Sequence, residues 1–138
     1  MKRQEQVLFY QFRDAEKLQT SRKVLSRLGI SSKVIPEEAW TQKVGYLLGM
    51  KGFKASEKPD VEDDFVFPHE VMVLQNIRNK RLDEVLLALK KAGVSKVKYK
   101  SVVTPFNTLW TLRRLCETMQ KEHAFMLQQQ EKEKQKAE

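Results

Sequence analysis

Cysteine occurs once, at Cys116, so the chain can close no internal disulfide. A lone thiol within a helical pattern reads as a buried, reduced side chain, which points to the cytoplasm. No apolar run approaches the roughly 18 residues that a membrane-spanning helix needs. The opening Met1-Lys2-Arg3-Gln4-Glu5-Gln6 leads into a strand-like run and does not read as a secretory signal. Histidine is scarce too, with His69 and His123 alone. Cys116 and His123 stand about 10 Å apart along one helix, too far for a thiol–imidazole pair. Glycine-rich phosphate loops, nucleophile elbows and paired cysteines are missing. An enzyme is therefore the least favoured reading, and no catalytic residue, cofactor or metal site is expected. His69 does follow Asp60, Glu62, Asp63 and Asp64, but their spacing fits no metal loop, and a solvated acidic loop is the plainer reading.

What the chain has in excess is positive charge. Lys and Arg number 26 against 18 Asp and Glu, a formal balance of +8 over 138 residues. Residues 59–69 are the exception, acidic with no Lys or Arg. A basic body fits an anionic partner, nucleic acid included, but charge alone also serves solubility.

Periodicity gives an α+β chain. Val7-Leu8-Phe9-Tyr10-Gln11-Phe12 is a nearly continuous apolar run and reads as a buried strand. Asp14 takes an N-cap position, and Ala15, Leu18, Ser21, Leu25 and Leu28 make one helix face that Gly29 closes. Ile30 to Ile35 is a second strand. Pro36, Glu37 and Glu38 are expected to open a helix running through Trp40, Val44, Leu47 and Leu48. The order then recurs: strand Val71 to Gln75, helix face Leu82, Val85, Leu86 and Leu89, stop Gly93, and a strand within Val94 to Val103. Thr104 as N-cap and Pro105 behind it are expected to begin a long last helix.

The halves also match residue by residue. An offset of 64 pairs Val7 with Val71, Gln11 with Gln75, Leu25 with Leu89 and Gly29 with Gly93, and an offset of 70 pairs Trp40-Thr41 with Trp110-Thr111. This reads as an internal repeat of a β-α-β-α unit. The expected arrangement is one four-stranded, antiparallel ferredoxin-like sheet with the two first strands central and helices on one face. A parallel sheet of βαβ units is the alternative. Residues 1–127 form a single domain of two pseudo-repeats, 7–50 and 70–127, joined by the acidic loop 51–69. Residues 128–138 form a polar helical tail.

Two constellations are candidates for binding. Around the last helix start, Thr104, Asn107 and Trp110 stand beside free backbone N–H groups that favour an anion, with Trp40 as a second apolar wall. Gly45, four residues before Gly49, leaves a bare helix face for close packing or for a ligand. Further on, Leu109, Leu112, Cys116, Met119, His123 and Met126 repeat at spacings of three and four, a seam that suits helix pairing. Met119, His123, Met126 and Leu127 are the expected interface of a homodimer.

The stretch Val71 to His123 resembles an uncharacterised bacterial family, domain of unknown function 3783. The resemblance rests on the apolar strand, on Leu82-Asp83-Glu84-Val85-Leu86, on Thr104-Pro105-Phe106-Asn107-Thr108-Leu109-Trp110-Thr111-Leu112 and on Lys121-Glu122-His123. It implies no activity, cofactor or site residues. The expected function is thus a cytoplasmic, non-enzymatic regulatory module that binds a small ligand or a protein. The alternative is a basic nucleic-acid-binding module. Sequence-specific RNA binding is disfavoured because Val71 to Leu74 carries no aromatic side chain.

Overall fold

The computed structural model describes residues 4–56, 65 and 67–136. The acidic run Asp60, Glu62, Asp63 and Asp64 lies outside the described residues. Four strands, β1 (Gln6–Tyr10), β2 (Ser31–Ile35), β3 (Val71–Gln75) and β4 (Tyr99–Val102), make one open sheet in the order β2-β1-β3-β4. Helices α1 (Ala15–Arg27), α2 (Val44–Leu47), α3 (Lys80–Lys91) and α4 (Leu112–Lys136) alternate with them.

The first strands of the two halves are central, as expected, and they run antiparallel, with Leu8 opposite Val73. Each outer strand, however, runs parallel to its own first strand: β2 beside β1 and β4 beside β3. The sheet is therefore mixed, and the antiparallel ferredoxin-like arrangement does not describe it. The cause lies in the crossovers. Helix α1 returns the chain to the start of β1, and only Leu28, Gly29 and Ile30 separate it from β2, so β2 lands beside β1 and parallel to it.

Helices on one face only is corrected too. Alternate side chains of a strand point to opposite faces. Val7 and Phe9 join Met72 and Leu74 in a core with Leu25, Val85 and Leu89 of α1 and α3. Leu8 and Tyr10 join Val71 and Val73 in a second core with Val44 and Leu47 of α2 and Leu112, Leu115 and Cys116 of α4. Strands with four successive apolar residues, Val7 to Tyr10 and Val71 to Leu74, need cover on both sides, and helices supply it on both. The edge strand β2, with Ser31, Lys33 and Val34 exposed, is the polar exception.

Asp14 caps α1 by accepting from the Lys17 N–H at 3.1 Å. The helix expected from Pro36 is instead a 3₁₀ turn, Glu37–Thr41, then extended Gln42 and Lys43, then the short α2. The second half does the same. Thr104 and Pro105 open a turn and a 3₁₀ segment, Asn107–Leu109, and α4 begins only at Leu112, where Thr111 Oγ1 accepts from the Arg114 N–H at 3.1 Å. The two extended breaks meet. Lys43 and Thr111 form an antiparallel bridge, in which the Val44 N–H donates to Trp110 O and the Leu112 N–H to Gln42 O, each at 2.9 Å. These bonds put Gln42 opposite Trp110 in role, so the Trp-Thr pairs are not structural equivalents: the match here is 68 residues, not 70.

Candidate functional site

The Thr104–Thr111 stretch is a closed hydrogen-bonded loop. The Thr104 N–H donates to Asn107 Oδ1 at 2.8 Å, and the Asn107 N–H donates back to Thr104 Oγ1 at 3.1 Å. Asn107 Nδ2 donates to Val102 O at 3.0 Å, and Thr108 Oγ1 donates to Pro105 O at 2.9 Å. Asn107 and Thr108 are buried. The polar side chains of this block thus hold the loop onto the end of β4. What the loop holds outward is apolar: Phe106 is 76% and Leu109 62% exposed.

Trp110 is half-buried on the α4 core, and the Arg114 guanidinium lies 4.5 Å from its ring centroid. Trp40 carries its own arginine: Arg113 sits 5.6 Å from its ring and 5.0 Å from Phe65, and bonds Glu117 through Nε at 2.8 Å. Each tryptophan is thus covered by an arginine of α4, at cation–π distance. The sequence reading missed Arg113 and Arg114. Their signal was available, since adjacent positions on a helix point apart and each reaches a different neighbour. Gly45 is occupied rather than vacant, because a Cβ placed there would meet the Phe53 ring at 2.5 Å.

Among the expected interface residues, Met119 is buried in the chain's own core and His123 is half-buried, its ring 5.8 Å from Tyr99. Met126 and Leu127 are exposed, as is Phe125. His69 packs against the rings of Phe67 and Tyr99. Among the described residues no group of three or more His, Cys, Asp or Glu side chains gathers to hold a metal ion. Cys116 is fully buried, and burial, with Glu117 adding to it, pushes its thiol up to about 12. At neutral pH it is a protonated core side chain, not a nucleophile. No helix among the described residues is long and apolar enough to cross a membrane.

The fold is therefore a mixed α+β domain, with a four-stranded sheet and a projecting last helix. Residues 70–126, from the strand before α3 to the fourth turn of α4, match the family model of a domain of unknown function, DUF3783, the family that the second half was seen to resemble. No curated protein and no solved structure matches the chain.

Proposed function

We propose that this protein is a non-enzymatic protein-binding module, and that the loop surface of Phe106 and Leu109, bordered by Trp110 and Arg114, is what it presents to its partner. The exposure of Phe106 carries the reading. A phenyl ring 76% exposed, on a loop whose own polar groups are spent internally, is a pre-formed apolar anchor. The loop lies inside the stretch that matches the family. Arg114 beside it, on a chain of net charge +8, favours a partner segment with apolar side chains flanked by carboxylates. The buried, protonated state of Cys116 supports a role without covalent catalysis. Nucleic acid is the second reading, favoured by the arginine-on-tryptophan pair. Recognition on an open sheet face, as in RNA-recognition domains, has no surface here, since β1 and β3 are buried on both sides.

The experiment is peptide display against the full-length chain, with single-stranded RNA and DNA oligomers titrated in parallel at physiological salt. Enrichment of acidic, apolar-centred peptides that bind at least tenfold more weakly to Phe106→Ser and Leu109→Ser supports the reading. Peptides indifferent to both substitutions overturn it. So does tight oligomer binding that survives salt while no such peptide is enriched.

A further inference from the structure

Between α3 and β4 opens a cavity of about 350 Å³. Its floor is apolar, made by Met72, Leu89 and Val97, all buried, and its rim carries Lys90, Lys96 and Lys100. That volume falls in the range of small-molecule sites, about 300–1,000 Å³. No acidic residue lines it, and among the described residues none of the three lysines is ion-paired.

We propose that this cavity binds a small amphipathic anion, its hydrocarbon body against Met72, Leu89 and Val97 and its carboxylate on the three lysines. Lys100 is the anchor. It stands opposite Met72 in the β3–β4 register, on the α3 side of the sheet, where its neighbours along the cavity floor are apolar. Its ammonium donates to Val97 O at 2.6 Å, which uses one of three donors and leaves two. Burial, and Lys96 close by, hold its pKa below the ordinary lysine value. An anion at the rim would relieve both costs at once, and a neutral or cationic ligand would relieve neither.

The groove of the first half, between α1 and β2, differs: it is larger, about 790 Å³, and Ser32, opposite Val7 on the same side of the sheet as Lys100 opposite Met72, is a hydroxyl and not a cation. There the Arg22 guanidinium is tied to Ser32 Oγ at 3.1 Å. A lysine on this side of the outer strand is thus a feature of the second half.

The probe is octanoate, below its micellar range, titrated into the full-length protein by calorimetry, with acetate, octanol and inorganic phosphate as comparators. Saturable octanoate binding at least tenfold tighter than each comparator is expected. Lys100→Gln is expected to weaken it at least tenfold with the melting temperature of the free protein unchanged. Lys96→Gln gives the same reading with an exposed side chain, should Lys100→Gln fail to fold. Phe106→Ser, on the loop beyond the other end of β4, is expected to bind octanoate as the parent does. Octanol binding as tightly as octanoate, phosphate binding as tightly, no octanoate binding, or full binding by a folded Lys100→Gln or Lys96→Gln variant overturns the proposal.

Discussion

The first half of the chain ends α2 at Leu47, with Gly49 at a φ of +76°, whereas the second half carries α4 from Leu112 to Lys136. The bridge of Lys43 with Thr111 makes the comparison position by position. Val44 corresponds to Leu112, Leu47 to Leu115 and Leu48 to Cys116, and all six are buried. Gly45 corresponds to Arg113 and Gly49 to Glu117. The core-facing positions are thus the same in kind, and the two glycines make the difference. Gly49 adopts a left-handed conformation that stops the first helix. Glu117 continues the second and pairs with Arg113 one turn back. The two halves thus differ at a buried glycine under Phe53 and at an exposed helix stop, and both proposed binding surfaces lie in the half with the longer helix.

The sharpest break of this comparison is at Asn107. Its counterpart, Ala39, makes no side-chain hydrogen bond, whereas Asn107 makes two, to Thr104 N–H and Val102 O, in a buried position. Asn107→Ala leaves both backbone partners short of a bond. The expected loss is about 3 kcal/mol, read as a fall of roughly 10 °C in melting temperature. A fall of under 2 °C would show that the loop is held by something else.

Alkaline pH tests the two halves at the buried groups of the α4 core. Burial is the main cause that raises Tyr10, in the first half, to about 12, its hydroxyl donating to Glu37 O at 2.8 Å. Cys116, in the second, is likewise raised to about 12. Both acids ionise more readily in the unfolded chain, from their ordinary values of 10.0 and 9.0. Between those values and about 12 the unfolded state binds fewer protons at these two sites, so their contribution to stability is constant below pH 9 and falls above it. Denaturant melts across this range are expected to show a loss on the order of 2 kcal/mol or more by pH 12. Cys116→Ala is expected to remove the part that begins near pH 9, and Tyr10→Phe the part that begins near pH 10.

Gly45 gives a smaller effect with a sharper control. Gly45→Ala drives a methyl into the Phe53 ring, and is expected to cost about 1 kcal/mol, overpacking outweighing the gain in helix propensity. In a Phe53→Ala background the same change is expected to stabilise by up to about 1 kcal/mol. Equal effects in both backgrounds would show that the ring is not what selects glycine there.

Where the sequence was legible, local chemistry decided. Asp14, Gly29 and Gly93 mark helix ends because a cap or a positive φ has few substitutes. Central β1 and β3 were legible because each carries four successive apolar residues, Val7 to Tyr10 and Val71 to Leu74. The same pattern held the signal that both faces are covered, which a choice of helices for one face overrode. The start of α4 was misplaced by seven residues because Thr104-Pro105 looks like a helix start and does begin a turn, while the real cap, Thr111, is set by its bridge to Lys43, a contact 68 residues away in sequence. At the candidate site, Thr104, Asn107 and Trp110 were found as a unit, but their polar atoms turn inward. The outward residues, Phe106 and Leu109, carry no pattern that separates an exposed apolar side chain from a buried one. The cavity at Lys100 was out of reach for a different reason: three lysines and an apolar floor meet there only through the packing of α3 on β4.

The smallest expected effect on stability comes from the far end of α4, and that smallness is the informative part. The helix is 25 residues long, about 37 Å. Its last buried side chain is Met119, and beyond it His123 lies against Tyr99, with Glu122 and Met126 at the edge of the same shallow cleft. An isolated stretch of this length is marginal as a helix in water, so it adds little to the fold unless something packs on it. Phe125, 61% exposed, Met126 and Leu127 are what a partner copy would cover. A chain ending at Lys121 is therefore expected to melt within about 2 °C of the full-length protein, a change below roughly 0.5 kcal/mol. Light scattering on the same two chains adds the second reading. If α4 pairs two copies, the full-length protein is a dimer whose melting temperature rises with concentration, and the shortened one is a monomer whose melting temperature does not. Two monomers would remove self-association as the role of this helix and leave Phe125 free for a different chain. A large stability loss in a shortened monomer would show that the projecting turns fold back onto the domain, against the exposure of all three side chains.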